Sequence, residues 1–373
     1  MRRRILITST DLMMVQFLVP HVINLAENGY EVEVACSDVG GRIDEVRKKL
    51  ELYTKAVYVI RLHRSPFNPD NVKGYYDLKC IINKKQYDII WTNEPVMGVV
   101  TRLAVKKKRR KGTKVLYMVH GFHFFDGAPK LNWMIYYPVE RLMASMTDVI
   151  CTINQEDYRR AKNFNVKKVV YIHGIGINTA RLTPSERQND IRKELGLKDN
   201  DFIVLSVGEL NENKNQKVII KALAKLNVPE IHYVLCGKGE EFEHLRELAV
   251  ELHLERQVHF LGYRTDVVDI CSQADVFVMP SRREGLPVAS LEAMYCGLPL
   301  LTSNIRGLVD VMGNGVSGYM YNPTDIRGFA EGIKRLKLDS RMRCQMGKNN
   351  QKNVKPYCIK EVKKEVLTLI NSL

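Results

Sequence analysis

The sequence predicts an α/β protein built from two doubly wound parallel-sheet domains. Short runs of β-branched and apolar residues alternate with amphipathic stretches through nearly the whole chain, which is typical of repeated strand–helix–strand units. The chain is also 373 residues long. Because this length exceeds what one hydrophobic core usually organises, two domains are expected.

Six buried parallel strands are predicted in the first half of the chain: RRILITS, YEVEVACS, YDIIWTN, KVLYMVHG, DVICTIN and KVVYIHG. Residues 17–28 form an amphipathic stretch that predicts a helix, with Gly29 as its C-terminal cap. The N-terminal stretch superficially resembles a signal peptide. Because Asp11 and Gln16 interrupt its apolar residues, we interpret it as a strand followed by a helix.

The alternation stops near residue 180, where a polar stretch that contains Pro184 predicts a linker between domains. Six further strands follow it: FIVLSVGEL, IHYVLCGKGE, VHFLGY, ADVFVMPS, GLPLLTSN and SGYMYNP. We therefore expect an N-terminal Rossmann-like domain over residues 1–180 and a C-terminal one over residues 181–357. Residues 358–373 predict a helix, and the sequence leaves open whether this helix packs back on the first domain.

The composition is that of a globular protein, with 45% hydrophobic and 27% charged residues. No apolar run approaches the ~18 residues that a transmembrane helix requires. The eight cysteines form no Cys-x-x-Cys pair, which favours reduced thiols in a cytoplasmic protein over disulfides or zinc. The net charge of +15 favours a polyanionic partner, namely nucleic acid, an anionic membrane surface or a phosphorylated substrate.

Two glutamates, Glu284 and Glu292, bracket a Gly-Leu-Pro turn in the stretch SRREGLPVASLEAMYCGLPL. The strand before this turn ends at Pro280, so the turn lies at the carboxyl edge of a predicted sheet, where ligands of open α/β sheets bind. Pro287 suits the first position of the following helix, because its fixed φ and missing N–H cost nothing there.

An anion site is expected at the start of this helix. The backbone N–H groups of Leu286, Val288 and Ala289 would be unpaired donors at the positive helix end. The two carboxylates would then contact different parts of a bound ligand, Glu284 at its head and Glu292 at its middle, with the anion held between them. A sugar nucleotide has this arrangement, because hydroxyl groups flank its phosphates. The alternative is that Glu284 is solvated and Glu292 is an ordinary residue on a helix surface.

The whole pattern from ADVFVMPS to SGYMYNP, with its Glu-x7-Glu spacing, resembles the retaining glycosyltransferases of the GT-B fold, specifically family 4. Other similar stretches occur in the family's order across nearly all of the chain: VLYMVHGFHFFDGAPKLNWMIYYPVE, TINQEDYRRA, HGIGIN, LSVGELNENKNQKVIIKAL and VHFLGYRTDV. The resemblance implies a GT-B fold, in which two Rossmann-like domains face each other across a donor cleft.

The resemblance also implies roles for residues of the C-terminal domain. Glu284 and the backbone that follows it would hold the donor sugar; this backbone comprises Gly285, Leu286, Pro287 and Val288. Glu292 would bind the ribose, and Lys214 would contact the diphosphate. A lysine and helix N–H groups stabilise the negative charge on a leaving nucleoside diphosphate, so the resemblance implies no metal and no other cofactor.

Three further positions belong to the same expectation. His120, in the HGF stretch, would lie beside the reacting sugar; the alternative is a histidine that bonds to backbone at a strand end. Gly262 and Tyr263 would lie near the nucleobase and contact it through their backbone.

The chain departs from the family pattern at Glu209, where relatives commonly carry an arginine that pairs with the diphosphate. A carboxylate there would repel the diphosphate unless it is paired, and Lys214 is the simplest partner. We expect Arg282 or Arg283 to replace the missing arginine. The first strand–helix turn, TSTDLMMVQF, lacks the glycines of many relatives, and we assign it no phosphate contact.

The implied reaction is transfer of a hexose or N-acetylhexosamine with retention at the anomeric carbon. UDP is the expected nucleotide and GDP the alternative. A donor phosphate oxygen would assist deprotonation of the acceptor hydroxyl, and a covalent route through Glu284 is the minor alternative. The HGFHFF…LNW stretch resembles that of family members that build bacterial capsule, exopolysaccharide or other surface glycans. The implied acceptor is a polyprenyl-diphosphate-linked sugar at the inner face of the cell membrane.

A basic run at Lys106–Lys114 follows an apolar helical stretch. It predicts either a patch for anionic lipid, worth about 1 kcal/mol per basic residue, or a solvated helix face. The next aromatic stretch contains Trp133, Tyr136, Tyr137 and Leu142. Their spacing predicts the core-facing side of a helix, with an acceptor groove as the alternative.

Three other classes of protein share some of these sequence features. A UDP-N-acetylglucosamine 2-epimerase-like enzyme also has two Rossmann-like domains, but it does not require the glutamate pair. A nucleic-acid-binding protein fits the charge, but no recognisable module is present and no aromatics interleave with the basic run. A dinucleotide-dependent oxidoreductase would need Gly-x-Gly-x-x-Gly after a strand, and CGKGEEF has only Gly237 and Gly239.

Overall fold

A computed structural model describes residues 2–39, 43–182 and 190–373, except for the side chains of Leu12, Met13 and Ile43. The chain divides into two compact units. Unit 1 comprises Met1–Gly176 and Ile359–Leu373, and unit 2 comprises Ile177–Cys358.

Unit 1 contains a parallel sheet, which within the described residues has seven strands in the order β3-β2-β1-β4-β5-β6-β7. The strands are β1 (Arg4–Asp11), β2 (Glu31–Ser37), β3 (Ala56–Val59), β4 (Ile89–Asn93), β5 (Lys114–Val119), β6 (Val149–Thr152) and β7 (Lys168–Tyr171). The helices are α1 (Leu12–Glu27), α2 (Ile43–Glu51), α3 (Asp70–Lys84), α4 (Pro95–Arg109), α5 (Lys130–Ala144), α6 (Gln155–Ala161) and, from the end of the chain, α15 (Ile359–Asn371).

The helices of unit 1 cover both faces of its sheet. The chain moves in one direction from β1 to β3 and in the other from β4 to β7. Because crossovers between parallel strands are right-handed, α1 and α2 lie on one face, whereas α4 and α5 lie on the other. The packing agrees, since α1 contacts α2 and α15, and α4 contacts α3 and α5.

Unit 2 also contains a parallel sheet, with six strands in the order β10-β9-β8-β11-β12-β13 among the described residues. The strands are β8 (Phe202–Val207), β9 (Ile231–Cys236), β10 (Val258–Gly262), β11 (Val276–Met279), β12 (Leu300–Ser303) and β13 (Gly318–Tyr321). The helices are α7 (Ile191–Glu194), α8 (Lys217–Leu226), α9 (Phe242–Glu251), α10 (Val267–Gln273), α11 (Val288–Tyr295), α12 (Leu308–Val311), α13 (Ile326–Leu338) and α14 (Ser340–Asn353), with 3₁₀ turns at Thr179–Arg181 and Lys355–Tyr357.

The core of unit 2 lies on both faces of its sheet. Phe202 and Val204 of β8 join one buried apolar cluster, and Ile203 and Leu205 join another. This division follows from the two-residue period of a strand, which sends successive side chains to opposite faces. Near-continuous apolar strands are therefore expected when helices cover both faces of a parallel sheet.

Three predictions about elements were wrong in detail. The first helix begins at Leu12, not at residue 17, because the Asp11 side chain accepts a hydrogen bond from Met14 N and caps it. The strand β3 was missed, since it is only four residues long and none of them is buried. The predicted linker contains the short helix α7, which Ile191 anchors with a buried side chain; Pro184 lies outside the described residues.

Candidate functional site

The candidate donor site lies at the carboxyl edge of the sheet in unit 2. The order of this sheet reverses between β8 and β11, and such a switch point opens the crevice in which open α/β sheets bind ligands. The loop after β8 carries Glu209 and Lys214, and the loop after β11 carries Glu284 and leads into α11. The fold therefore brings two separately predicted stretches to one place.

Lys214 and Glu284 form an ion pair at this switch point. Lys214 Nζ lies 2.8 Å from Glu284 Oε1. Both side chains are largely shielded from solvent, with 23% of Lys214 and 11% of Glu284 exposed. The pair thus holds the lysine predicted for the diphosphate against the glutamate predicted for the sugar.

The Glu292 carboxylate is an open hydrogen-bond acceptor. It lies on the second turn of α11 and is half-buried, and no group within the described residues donates a hydrogen bond to it. Burial raises the pKa of Glu292, and the charge of Arg181 opposes this rise. This carboxylate can therefore accept hydrogen bonds from an added group.

The start of α11 follows directly from the Gly-Leu-Pro turn. Pro287 precedes the helix as its N-cap residue, with φ −83° and ψ 92°, and Val288 is the first helical residue. The prediction that Pro287 occupies the first helical position was therefore wrong by one residue. The N–H groups of the first turn have no carbonyl four residues earlier to bind, so this end of α11 retains donors for an anion.

Glu209 does not pair with Lys214, which corrects the prediction. Its Oε2 accepts a hydrogen bond from Asn211 Nδ2 at 2.9 Å, and Asn211 Oδ1 accepts one from Lys214 N at 2.9 Å. Asn211 thus joins the two residues while the lysine ammonium turns to Glu284.

The two arginines considered as substitutes differ in their surroundings. Arg282 Nη1 lies 3.2 Å from Glu212 Oε1. Arg283 is exposed, and its guanidinium has no partner within the described parts of the chain. Arg283 is therefore the better placed of the two to meet an added anion.

Asparagines that the sequence prediction missed hold the two loops together. Asn213 Nδ2 donates to Arg283 O at 3.0 Å, and Arg282 N donates to Asn213 O at 2.8 Å. Asn215, which has a φ of 58°, donates to Pro280 O at 3.0 Å. The alternating asparagines of NENKN could have predicted a loop that is held by side-chain bonds, because asparagine tolerates positive φ and hydrogen-bonds to the backbone.

A second loop supports the Glu284 turn from the other side. Arg306, in the loop after β12, donates from Nε to Glu284 O at 3.3 Å. Gly307 has a φ of 80°, and a Cβ atom there would lie only 2.5 Å from Gly285 O. A side chain at position 307 would therefore push the turn out of place.

Gly262 and Tyr263 lie at the end of β10. The Gly262 carbonyl accepts a hydrogen bond from Gly237 N at 2.7 Å, so this oxygen already has a partner. Tyr263 is 66% exposed. The nucleobase contacts predicted for the backbone of these two residues stay a prediction.

His120 lies in unit 1, directly after β5, at the carboxyl edge of the seven-stranded sheet. Its Nε2 is 3.0 Å from Asn93 Oδ1 at the end of β4. Burial lowers the pKa of His120 to about 4, so its imidazole is neutral at physiological pH. Asn93 is a second functional candidate that sequence reasoning missed, because only strand order places it beside the histidine.

The aromatic stretch on α5 only partly follows its prediction. Trp133, Tyr136 and Tyr137 pack against the buried cluster around Phe122 and Phe124. Leu142, which was predicted to face the core with them, is 64% exposed.

Among the described residues, no group of three or more His, Cys, Asp and Glu side chains is placed to hold a metal ion. No helix in the described part of the chain combines the length and the hydropathy of a membrane span. All eight cysteines are free thiols.

Each unit of the chain has a Rossmann-like parallel sheet, and in unit 2 acidic and basic side chains lie at the strand switch point, where enzymes of this fold class bind ligands. Comparison with known families is more specific. Residues 21–181 match "Glycosyltransferase Family 4", and residues 187–353 match "Glycosyl transferases group 1". A Bacillus subtilis protein described as "Putative glycosyltransferase EpsD" is 37% identical over 94% of this chain and 92% of its own length. The chain belongs to this glycosyltransferase family.

Two further similarities concern substrates and fold. An Escherichia coli protein described as UDP-Gal:alpha-D-GlcNAc-diphosphoundecaprenol alpha-1,3-galactosyltransferase is 28% identical over 87% of this chain and 84% of its own. The crystal structure of Anabaena HepE in complex with UDP and glucose matches with a TM-score of 0.81 at 19% identity, over 100% of both chains. The predicted GT-B fold class, with its two Rossmann-like domains, is thereby confirmed.

Proposed function

We propose that this glycosyltransferase moves a hexose or N-acetylhexosamine from a nucleotide sugar to a lipid-linked or glycan acceptor during synthesis of a surface polysaccharide. UDP is the proposed nucleotide, and transfer proceeds with retention at the anomeric carbon. The similarity to a protein whose description names both UDP-Gal and a diphosphoundecaprenol-linked sugar supports both substrate classes. The geometry that carries the proposal is the Lys214–Glu284 pair at the switch point of the sheet, together with the half-buried carboxylate of Glu292 on the helix that follows this loop.

Each side chain of this site has a proposed task. Lys214, Arg283 and the first turn of α11 receive the diphosphate and its growing negative charge. Glu284 accepts hydrogen bonds from the donor sugar, and Glu292 accepts them from the ribose hydroxyls. Because these positive groups are fixed in the protein, we propose that transfer requires no metal ion.

The proposed reaction occurs at the front face of the anomeric carbon. The bond from this carbon to the diphosphate breaks as the acceptor oxygen attacks from the same side, and a donor phosphate oxygen takes the acceptor's proton. Neutral His120 contacts the sugar and carries no charge that would compete with Lys214 for the diphosphate. We place the reaction at the inner face of the cell membrane. The free thiols favour a reducing compartment, and the basic run Lys106–Lys114 favours an anionic surface.

The first test is donor binding and nucleotide release with EDTA present. Wild type is screened by thermal shift against UDP-, GDP- and ADP-sugars, and slow release of the nucleoside diphosphate is followed without an acceptor. We expect one nucleotide class to stabilise the protein, and Glu292→Gln to weaken its binding by about tenfold or more, because a hydrogen bond to a charged group contributes about 1.5–3 kcal/mol. Glu251→Gln, which changes an exposed carboxylate of α9, is the matched control.

Two further variants separate the roles at the diphosphate. Arg283→Ala is expected to weaken donor binding if this arginine replaces the one missing at Glu209, and unchanged affinity would exclude it from that role. Lys214→Met is expected to slow nucleotide release more than it weakens binding, because charge grows as the bond breaks. No response of the wild type to any sugar nucleotide would refute the proposed function, and conversion of UDP-N-acetylglucosamine without acceptor would favour the epimerase.

A further inference from the structure

Helix α5 of unit 1 presents an apolar side to solvent. Leu131 is 62% exposed, Met134 is 73% exposed and Leu142 is 64% exposed. The complete set of exposed residues on this helix is Lys130, Leu131, Met134, Pro138, Val139, Arg141 and Leu142. Five of these seven are apolar, two are basic and none is acidic. We call Leu131, Met134, Val139 and Leu142 the α5 apolar face.

The α5 apolar face is a continuous stripe along the helix. Its members are separated by three, five and three residues, so they lie on one side of a helix with 3.6 residues per turn. The stripe runs for about 16 Å at 1.5 Å per residue. The opposite side of α5 packs on the core through Trp133, Tyr136 and Tyr137. The helix therefore has two apolar sides, and only one of them is needed to fold unit 1.

Basic residues of the neighbouring helix α4 flank this stripe. The two helices are joined by the ion pair between Arg102 Nη2 and Glu140 Oε2, which are 2.9 Å apart and buried. Both helices lie on the same face of the sheet, since β4, β5 and β6 follow each other in one direction. The exposed residues of α4 and of the turn after it include Leu103, Lys106, Lys107, Arg110 and Lys111.

No exposed acidic residue lies on either helix. The sequence of α4 contains none, and Glu140, the acidic residue of α5, is buried against Arg102. The two helices thus expose apolar side chains next to basic side chains that no acidic side chain on either helix neutralises. Such a surface is complementary to one that has an apolar interior and anionic groups at its boundary with water. An anionic lipid bilayer has this character. A second copy of the chain would instead bring like charges together across a two-fold interface.

We propose that the α5 apolar face inserts into the head-group region of an anionic membrane while the basic residues of α4 contact lipid phosphates. This inference deepens the proposed membrane attachment through Lys106–Lys114, on which it rests. It adds that attachment has a hydrophobic component, which salt does not screen.

The test is co-sedimentation of the full chain with phosphatidylcholine vesicles and with vesicles that contain about 30% phosphatidylglycerol. We expect binding to the anionic vesicles, and we expect the triple variant Leu131→Ser, Met134→Ser, Leu142→Ser to lower the partition coefficient about tenfold or more, since each lost side chain weakens insertion. The matched control is Val250→Ser, Val316→Ser, Leu338→Ser. It removes three exposed apolar side chains of unit 2 and is expected to bind as the wild type does.

Added salt distinguishes the electrostatic contribution to vesicle binding from the hydrophobic contribution. The variant Lys106→Gln, Lys107→Gln, Arg110→Gln is expected to lose the part of the binding that 0.5 M NaCl also removes, about a fivefold effect or more. If the α5 variant binds as tightly as wild type, attachment is electrostatic alone and the inference fails. If wild type does not bind anionic vesicles, both the inference and the proposed attachment fail. If wild type is a dimer that the α5 variant dissociates, a second copy covers this face and the inference is overturned.

A second measurement guards against misfolding of the triple variant. Leu142→Trp in an otherwise unchanged chain is expected to lose fluorescence when brominated phosphatidylcholine replaces the ordinary lipid in anionic vesicles. Leu338→Trp, at a site that is 75% exposed in unit 2, is expected to lose none beyond wild type. Equal quenching at the two positions would overturn the inference. Donor binding in the absence of vesicles is measured on the same samples, so failure of the proposed transferase activity is distinguished from failure of membrane insertion.

Discussion

Asn93 determines which nitrogen of His120 carries the proton. Asn93 Nδ2 donates to Thr8 O at 3.1 Å, and a carbonyl oxygen can only accept. The amide oxygen of Asn93 therefore faces His120 Nε2 at 3.0 Å, and this nitrogen must donate. Since the imidazole is neutral, Nδ1 is left as the acceptor. A hydroxyl of a bound sugar would meet an acceptor with a defined direction.

A carboxylate at position 93 is expected to change the pH dependence of nucleotide release. Asn93→Asp keeps the size of the side chain but places a negative charge beside His120, which raises the pKa of the histidine by about 1–3 units. If the neutral imidazole is the active form, the acid limb of the pH profile moves upward by the same amount. Asn93→Ala is the comparison: it is expected to lower the rate without moving this limb upward. Superimposable profiles for wild type and Asn93→Asp would contradict the role of His120.

The residues of the candidate site were predictable to different degrees. Glu284 and Glu292 were singled out by their spacing around a turn and Lys214 by the resemblance to family 4, because each belongs to a short stretch whose pattern is local. The partner of Lys214 was not, since Glu209 is close in sequence while Glu284 is brought close by the pairing of β8 with β11. Asn93 was missed for the same reason.

At the scale of elements, the stability that α1 contributes depends on pH, because this helix contains a buried histidine. His21 is buried in this helix, and its Nε2 donates to Ile175 O at 2.8 Å. Burial lowers the pKa of His21 to about 4, and the charge of Lys363 adds to this effect. The unfolded chain, with a histidine pKa near 6.5, binds a proton between these values that the folded chain does not. The stability that depends on neutral His21 is therefore complete above about pH 6.5 and is lost as pH falls toward 4.

His21→Gln is expected to flatten this dependence in unit 1. A pKa difference of this size corresponds to about 3 kcal/mol between pH 7 and pH 4, although His120, whose pKa is also lowered to about 4, adds its own slope. Urea unfolding followed by tryptophan fluorescence measures it, since both tryptophans, Trp91 and Trp133, lie in unit 1. His244→Gln, on the surface of α9, should leave the slope unchanged. An equal slope for His21→Gln and wild type would contradict the prediction.

The elements themselves were largely predictable, and the exceptions have a common cause. Strand and helix periods are visible in a chain when each element buries one or two full faces. The strand β3 lies at an edge and is half-buried, so its pattern is weak. Helix α5 has apolar residues on both sides, so its spacing alone does not reveal which side faces the core.

At the scale of the whole molecule, the end of the chain completes the first unit. Helix α15 packs against α1 and buries four apolar side chains, Val362, Val366, Leu369 and Ile370. His173 Nδ1 lies 2.6 Å from Glu365 Oε1. Ile177 N donates to Tyr357 O at 2.9 Å, so the first and last segments of unit 2 are hydrogen-bonded to each other. Helix α15 can therefore join unit 1 only after the whole of unit 2 has been synthesised.

Removal of residues 359–373 is expected to destabilise unit 1 severely. Burial of an aliphatic side chain contributes about 1.5–3 kcal/mol, so four of them contribute about as much as the whole stability of a typical domain. Tryptophan fluorescence in urea should show unfolding of unit 1 at much lower denaturant. Removal of residues 372–373 alone is the control and should have little effect. If the shorter chain unfolds at the wild-type urea concentration, α15 is dispensable.

By itself the sequence determined the alternation of strands and helices, the Glu-x7-Glu spacing and the basic run, because these depend on local period and composition. Only the tertiary structure decided which partners meet: Lys214 with Glu284, Asn93 with His120, and α15 with α1. It also decided which side of α5 faces solvent. The physical reason is that these pairings join residues far apart in the chain, and strand order and the direction of crossovers bring them together.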